Sequence, residues 1–485
     1  MNTLVLDIGS SSARALLFDD QLTVLAETSA SYQFSTTPHG ASEIDADFLR
    51  QMTEHCIDEI LRHPAAENIG VVGLTSFGGN LLGMDAHGRA LTPIYTYADT
   101  RSADDVEYLR RLIDPAETHH RTGVVHHTAY WPGRIAWIER TEPAVYQQAA
   151  TWLDFGAYLM RHWFGQAISS YSAAAWNGVL NRAKLTWDDT WLEILELDRA
   201  HLPELADYDR LRVGLMPDYA MRWPALQNIP FTLTIGDGAA ANIGVGAIGQ
   251  NRLALTIGTT AALRIVINQI EQIPPVPAGL WSYRVNSPHH LIGGATSEGG
   301  NIFQWARETL KLDPAMLETD LRSREADAHG LTFLPLLNGE RSPGWWANAT
   351  GGVIGLHLST TPLDIVQAAL EGVAIRLSLI ADQLKPLIYT DAEVIGGGGA
   401  LVASPTWAQM ICNALNRPLH LTAEKEVTAR GMAILARAAL GIGTLEDFPP
   451  TITHTLLPQP EAVQRLHAAR ERQVALYHYL KGTSA

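Results

Sequence analysis

An aspartate closes the first apolar run of the chain, in TLVLDIGSSSARALLF, and a polar turn follows it at once. A carboxylate at the end of a strand, here Asp7, suits a site that holds Mg2+ beside phosphate oxygens, because Mg2+ keeps several waters and takes only one or two carboxylates. Gly9 lets the backbone turn sharply, the amides and hydroxyls of Ser10, Ser11 and Ser12 can face phosphate, and Arg14 adds charge if it points the same way. The plainer reading is a polar hairpin whose aspartate accepts local amide bonds. LALTIGTTAALRIV repeats the device, with Gly258, Thr259 and Thr260 in the turn. Two such turns in opposite halves of a chain could grip a phosphate chain from both sides. The pattern GxxxxGK[ST] is absent, so this is not a P-loop protein.

Asp237, in TIGDGAAANIGVG, ends an apolar run and precedes a small-residue helix. It could cap that helix, or act as a general base toward an attacking hydroxyl. GGGGAL, residues 396–401, can bring backbone close to a flat ring such as adenine, or simply link a strand to a helix. Asn413 on the next helix is either a hydrogen-bond partner there or a surface residue. Hydroxyl-rich ligands need many polar partners, and the candidates are Asn80, Asp99, Arg101 and Asp154. Asp99 and Arg101 could also pair with each other. Trp131, Trp137, Trp176, Trp345 and Trp346 could stack on a ligand or pack.

These residues require elements to carry them. Residues 3–6 and 13–18 read as a hairpin, and residues 45–63 as an amphipathic helix with Phe48, Met52, Cys56 and Ile60 on one face. A helical, loop-rich stretch over 103–225 reads as an insert lining one side of a cleft. The strand-turn-strand pattern restarts at Leu253, so domains are expected at 1–246 and 247–485. In the second, DIVQAALEGVAIRLSLIADQLK reads as a long helix with Ile365, Ala369, Val373 and Leu377 at related turns and Asp364 as its cap. The pattern is α/β, with a hairpin opening each half and a duplication as its simplest origin.

A chain of 485 residues exceeds one core, and 46% apolar with 18% charged residues fits an ordinary globular protein. The net charge of -16 argues against a broad nucleic-acid or anionic-membrane surface. The two cysteines, Cys56 and Cys412, read as reduced, buried small hydrophobes. With no basic leader and no apolar run of membrane-spanning length, a cytoplasmic location is expected.

Taken together, these residues resemble the FGGY carbohydrate kinases, within the actin/hexokinase/Hsp70-like (ribonuclease H-like) ATPase fold. DTRS, RIAW, GDGAAANIG, IGTTA, GERSPGW and GGGGA occur in the family's order, and GGVIGLHLSTTPLDIVQAALEG follows its second signature closely. In WPGRIAW, Arg134 stands where the family usually has Lys. The resemblance implies two domains about a central cleft, ATP and Mg2+ as cofactors, and transfer of phosphate to a sugar or polyol hydroxyl. It implies Asp7 as the metal-side acid and Asp237 as the base. Ser10, Ser11, Ser12, Arg14, Gly258, Thr259, Thr260, Gly397, Gly398, Leu401 and Asn413 fall on the nucleotide side. Phe77, Gly78, Gly79, Asn80, Asp99 and Arg101 fall on the sugar side with Asp237.

The turn Phe77-Gly78-Gly79-Asn80 departs from the Gln-Met-His-Gly of xylulokinases, and the Arg-Glu pair of glycerol kinases is absent. GDGAAANIG, LWSYRV and GATSEGGNIFQWA resemble gluconokinases, which implies conversion of D-gluconate to 6-phosphogluconate. Arg284, Arg134 or Arg101 would then meet the substrate carboxylate. A pentulose (xylulose or ribulose) or a polyol is the alternative, and a sugar-binding regulator without catalysis is the non-enzymatic one. The expected partner is a small molecule, with no nucleic acid and no membrane. Relatives often form homodimers, although no exposed stripe in this sequence demands one.

Overall fold

The structure, a computed structural model, describes residues 1–268, 275–397 and 399–483. In the first half, β1 (Asn2–Ile8), β2 (Ser12–Phe18), β3 (Val24–Ser31), β4 (Ile69–Ser76) and β5 (Ile235–Gly236) form one sheet in the order β5-β4-β1-β2-β3. β1 to β3 form an antiparallel meander, while β4 runs parallel to β1 and β5 parallel to β4. β1 is covered on both faces, so its side chains from Leu4 to Ile8 are almost all apolar; Asp7 is the exception.

Helix α1 (Ala46–Ile60) buries Leu49, Cys56, Ile57 and Ile60. This corrects the expected face, because Phe48 is 42% exposed. Asp45 caps α1 by accepting the Phe48 amide, which leaves that first-turn side chain pointing to solvent. The insert between β4 and β5 contributes α2 (Trp131–Thr141) and α3 (Tyr171–Asn177), and β5 runs directly into α4 (Asp237–Gly244).

The second half builds a sheet from β6 (Arg252–Ile257), β7 (Ala261–Asn268), β8 (Trp281–Arg284), β9 (His289–Thr296), β10 (Glu393–Gly397), β11 (Leu419–Thr422) and β12 (Ile452–Leu456). The order is β8-β9-β7-β6-β10-β11-β12. Its inner five strands, β11-β10-β6-β7-β9, repeat the first sheet strand for strand and direction for direction. The duplication inferred from two short turns therefore extends to the topology of both sheets. Helix α5 (Pro362–Leu384) begins with a capping box. Thr361, not Asp364, is its cap, and Asp364 returns a bond to the Thr361 amide from the third helical position. Cys412, on α6 (Pro405–Leu415), is buried, as is Cys56.

The halves join where the helix after β5 crosses the helix after β11, its counterpart in the repeat. α4 meets α7 (Val427–Ala439) with backbone almost against backbone. A Cβ on Gly244 would lie 1.8 Å from the Val427 carbonyl oxygen, and one on Gly431 would lie 1.8 Å from that of Ala240. α7 continues over the first sheet, with Met432 and Ala436 against Gly73. Gly431→Ala should separate the helices. The expected cost is about 1–3 kcal/mol, read as a lower denaturant midpoint. An unchanged midpoint would show that the crossing is loose.

Candidate active site

Both hairpins point into the gap between the halves. Gly9 donates its amide to the Ser12 carbonyl at 2.9 Å, and Gly258 donates to that of Thr260 at 2.9 Å, so each turn is closed by its own backbone. Between them opens a cavity of about 340 Å3. Ser10, Gly258, Thr260 and Gly397 line it, together with Phe77, Gly78, Gly79 and Asp237. Ser11 and Thr259 are exposed at the hairpin tips, and Ser12 is half-buried.

Asp237 is the first residue of α4, after Gly236 as cap. Its Oδ1 accepts the Gly238 amide at 2.7 Å, and its Oδ2 takes no hydrogen bond among the described residues. Burial raises its pKa to about 6, while the Gly238 amide and Arg264 pull it back. A carboxylate poised there accepts a proton efficiently near neutral pH. Asp7 is buried, and its Oδ2 takes a 2.6 Å hydrogen bond from Arg14, which faces it across the β1–β2 pair. Its Oδ1 stays free among the described residues, which suits water-mediated contact with Mg2+ next to the hairpin amides.

Several expected residues are committed elsewhere. Asn80 spends its amide on the Phe77 carbonyl at 2.6 Å and its Oδ1 on the Phe155 amide at 2.7 Å, so it shapes the Gly78-Gly79 turn from behind. Asp99 and Arg101 pair with each other at 2.6 Å, and Arg101 also holds Glu43 and stacks over Trp137. Asp154 caps a helix and accepts Ser169. Of the three arginines proposed for a carboxylate, Arg101 is thus occupied, Arg134 holds the Gly79 and Thr128 carbonyls, and Arg284 holds those of Ser287 and Arg182.

Arg14 is held by Asp7 and Glu426 rather than pointing freely into the cavity. Leu401 is a core side chain. Asn413 lines a separate groove, where its oxygen accepts the Gln459 amide at 2.9 Å. Gly398 lies outside the described residues. Trp176 and Trp345 reach the cavity, whereas Trp131, Trp137 and Trp346 pack.

The residues that the sequence reading missed are cationic and aromatic. Ala262 and Arg264 alternate on one face of β7, so both face the cavity, and the small Ala262 leaves room beside the guanidinium. Arg264 is 6% exposed, donates to the Thr256 hydroxyl, and leaves its Nε without a partner. Burial lowers its pKa to about 10, with Asp237 opposing and the like charge of Arg341 adding to the shift. Arg341, from GERSPGW, also lines the cavity, and its side chain makes no hydrogen bond or ion pair among the described residues. Tyr97, Tyr130 and Tyr283 complete the wall. Trp176 stacks on Tyr283 with ring centroids 4.1 Å apart, and the hydroxyls of Tyr130 and Tyr283 bond at 2.8 Å. These contacts join the halves across the cavity. The period-2 spacing of Ala262 and Arg264 was the available signal.

One carboxylate–histidine cluster lies apart from the cavity, at Asp327, His329 and Glu371. His329 Nδ1 accepts the Leu331 amide at 2.9 Å, so the ring proton sits on Nε2 and points to Glu371 at 3.1 Å. That tautomer describes a structural hydrogen bond, not a metal ligand.

Residues 2–244 match the N-terminal domain of the FGGY family of carbohydrate kinases, and residues 253–440 match its C-terminal domain. The chain is 26% identical to a gluconokinase of Bacillus subtilis (strain 168), over 90% of this chain and 87% of that one. It is 27% identical to a xylulose kinase of Escherichia coli (strain K12), over 98% of each chain. The solved structure of a gluconate kinase from Lactobacillus acidophilus superposes with a TM-score of 0.92 at 25% identity, covering 99% of this chain and 98% of that one. The fold is therefore the two-domain actin/hexokinase-like α/β architecture of these sugar kinases.

With Asp237 as base, kcat/KM should fall about tenfold per pH unit below about pH 6, where the carboxylate gains its proton, and level off above. Asp237→Ala should lose turnover by roughly 10²–10⁴-fold while keeping nucleotide binding. Near-normal turnover in that variant would remove the assignment.

Proposed function

Because the chain belongs to the FGGY family of carbohydrate kinases, we propose that it uses ATP with Mg2+ to phosphorylate the terminal hydroxyl of a small open-chain sugar acid. D-gluconate, giving 6-phosphogluconate, is the leading substrate. The observation that carries this reading is the pair of cavity arginines, Arg264 and Arg341, with Asp237 as the one carboxylate lining the cavity among the described residues. Arg264 is buried and Arg341 half-buried, a buried cation is costly unless paired, and a bound carboxylate would pair with them. A neutral ketose or polyol would leave that charge uncompensated.

The residues support a direct transfer. Asp237 takes the proton of the terminal hydroxyl as its oxygen bonds to the γ-phosphorus, and the bond from that phosphorus to the β,γ-bridging oxygen breaks to release ADP. The amides of both hairpins would hold the phosphate chain from opposite halves, and Gly397 lets backbone approach the nucleotide. Mg2+ at Asp7 would neutralise phosphate charge. The aromatic wall of Tyr130, Trp176 and Tyr283 excludes water from the transfer. No helix of the described residues is long and apolar enough to cross a membrane, and a cytoplasmic place of action belongs to the same proposal. A pentulose is the second reading, favoured by the fuller coverage of the xylulose kinase relative.

The test is ADP release with Mg-ATP across gluconate, related aldonates, xylulose, ribulose, glycerol and erythritol, with mass detection of product. Gluconate should give the largest signal, and Arg264→Met should lower its kcat/KM roughly 10–100-fold while affecting neutral sugars less. Preference for a ketose would discard the carboxylate argument and keep the kinase. Silence across the panel would favour a sugar-binding regulator.

A further inference from the structure

Arg14 sits among three carboxylates at the mouth of the first hairpin. Its Nη2 donates to Asp7 Oδ2 at 2.6 Å, its Nη1 donates to Glu426, and Glu27 lies 3.5 Å from the same Nη1. Asp7 and Arg14 belong to neighbouring strands of the first half. Glu426 belongs to the second half, where it precedes α7 and sits next to the cavity residues Val427 and Thr428. Its side chain caps no amide, and among the described residues its one side-chain partner is Arg14.

A guanidinium beside a lone carboxylate closes on it through two parallel hydrogen bonds. Arg14 does not do so with Asp7: only one oxygen of Asp7 is taken, because Nη1 is turned toward Glu426. The consequence concerns Asp7, whose remaining oxygen is what a hydrated Mg2+ would need.

We propose that Glu426 is a positioning residue for the metal side of the site: by holding Nη1 of Arg14, it keeps that side chain from closing over both oxygens of Asp7. Without it, Arg14 and the metal compete for one carboxylate. Residues standing behind a metal ligand are typically worth about 10–100-fold in metal affinity. This inference rests on Asp7 being the metal-side acid.

The experiment is calorimetric titration of Mg2+ into the full chain with ADP, and of ADP into the chain in EDTA, for wild type, Glu426→Gln and Asp7→Asn. Glu426→Gln should weaken Mg2+ binding about tenfold while ADP binding in EDTA stays within about twofold of wild type. Unchanged Mg2+ binding in Glu426→Gln, with Asp7→Asn strongly weakened, overturns this inference and leaves Asp7 in place. Unchanged Mg2+ binding in Asp7→Asn overturns the metal-side reading itself. A loss of ADP affinity in EDTA equal to the loss with Mg2+ would mean that Glu426 serves phosphate binding, which also overturns it. Should Glu426→Gln fail to fold, Glu426→Asp keeps the charge but shortens the reach, and the same weakening of Mg2+ binding is expected. Arg14→Lys supplies a further check. A lysine cannot fork, so adding Glu426→Gln to it should change Mg2+ binding by less than about twofold; a full tenfold further loss would contradict the account.

Discussion

The close crossing of α4 and α7 is the constraint on which the rest depends. Gly244 and Gly431 bring each helix against a carbonyl of the other, so no side chain cushions the joint and the spacing of the halves is set by backbone. α4 ends at that joint with Gly244 and begins at the cavity with Asp237, seven positions earlier, a rise of about 10 Å. α7 begins beside the cavity, where Val427 and Thr428 line it, and carries its middle into the joint. Asp237 and the two glycine hairpins are thus placed by the contact that holds the halves together.

The duplication explains how one device came to serve the cavity from both halves. In each half an arginine on the second hairpin strand bonds to the first-strand residue two places before the turn glycine. Arg14 bonds to Asp7, before Gly9, and Arg264 bonds to Thr256, before Gly258. The chemistry then diverges. Where the partner is an acid, the arginine is neutralised and one oxygen of the acid is taken. Where the partner is a hydroxyl, the charge survives and faces the cavity, which Arg341 also lines. The rings of Tyr130, Trp176 and Tyr283 give the cavity wall an apolar surface, beside which charge interactions are stronger than in water.

The hairpins, Asp7 and Asp237 were legible in the sequence because their signals are local: an apolar run, an acid and a turn residue in unbroken succession. The repeated strand order was legible only in outline, since sheet neighbours are set by contacts far apart in sequence. Asn80 is tied to the backbone of Phe77 and Phe155, and Asp99 with Arg101 takes the pairing that the sequence left open as an alternative. A polar side chain near a glycine turn can serve the turn as readily as a ligand. Asn413 failed for a different reason. The sequence placed it on a helix but could not say which groove that face of the helix meets. Arg264 was overlooked although its alternation with Ala262 pointed it the same way. The missing knowledge was that β7 has one face on the cavity.

The central claim is that the cavity is built for an anionic open-chain sugar. Its most direct test is the calorimetric affinity of gluconate against glucitol, its uncharged counterpart, each measured with a non-hydrolysable ATP analogue and at rising salt. The account predicts that gluconate binds at least about tenfold tighter, as one charge-assisted bidentate contact supplies, with a margin that changes little as salt rises because the pair is buried. Equal affinities for the two, or tighter binding of glucitol, would contradict it.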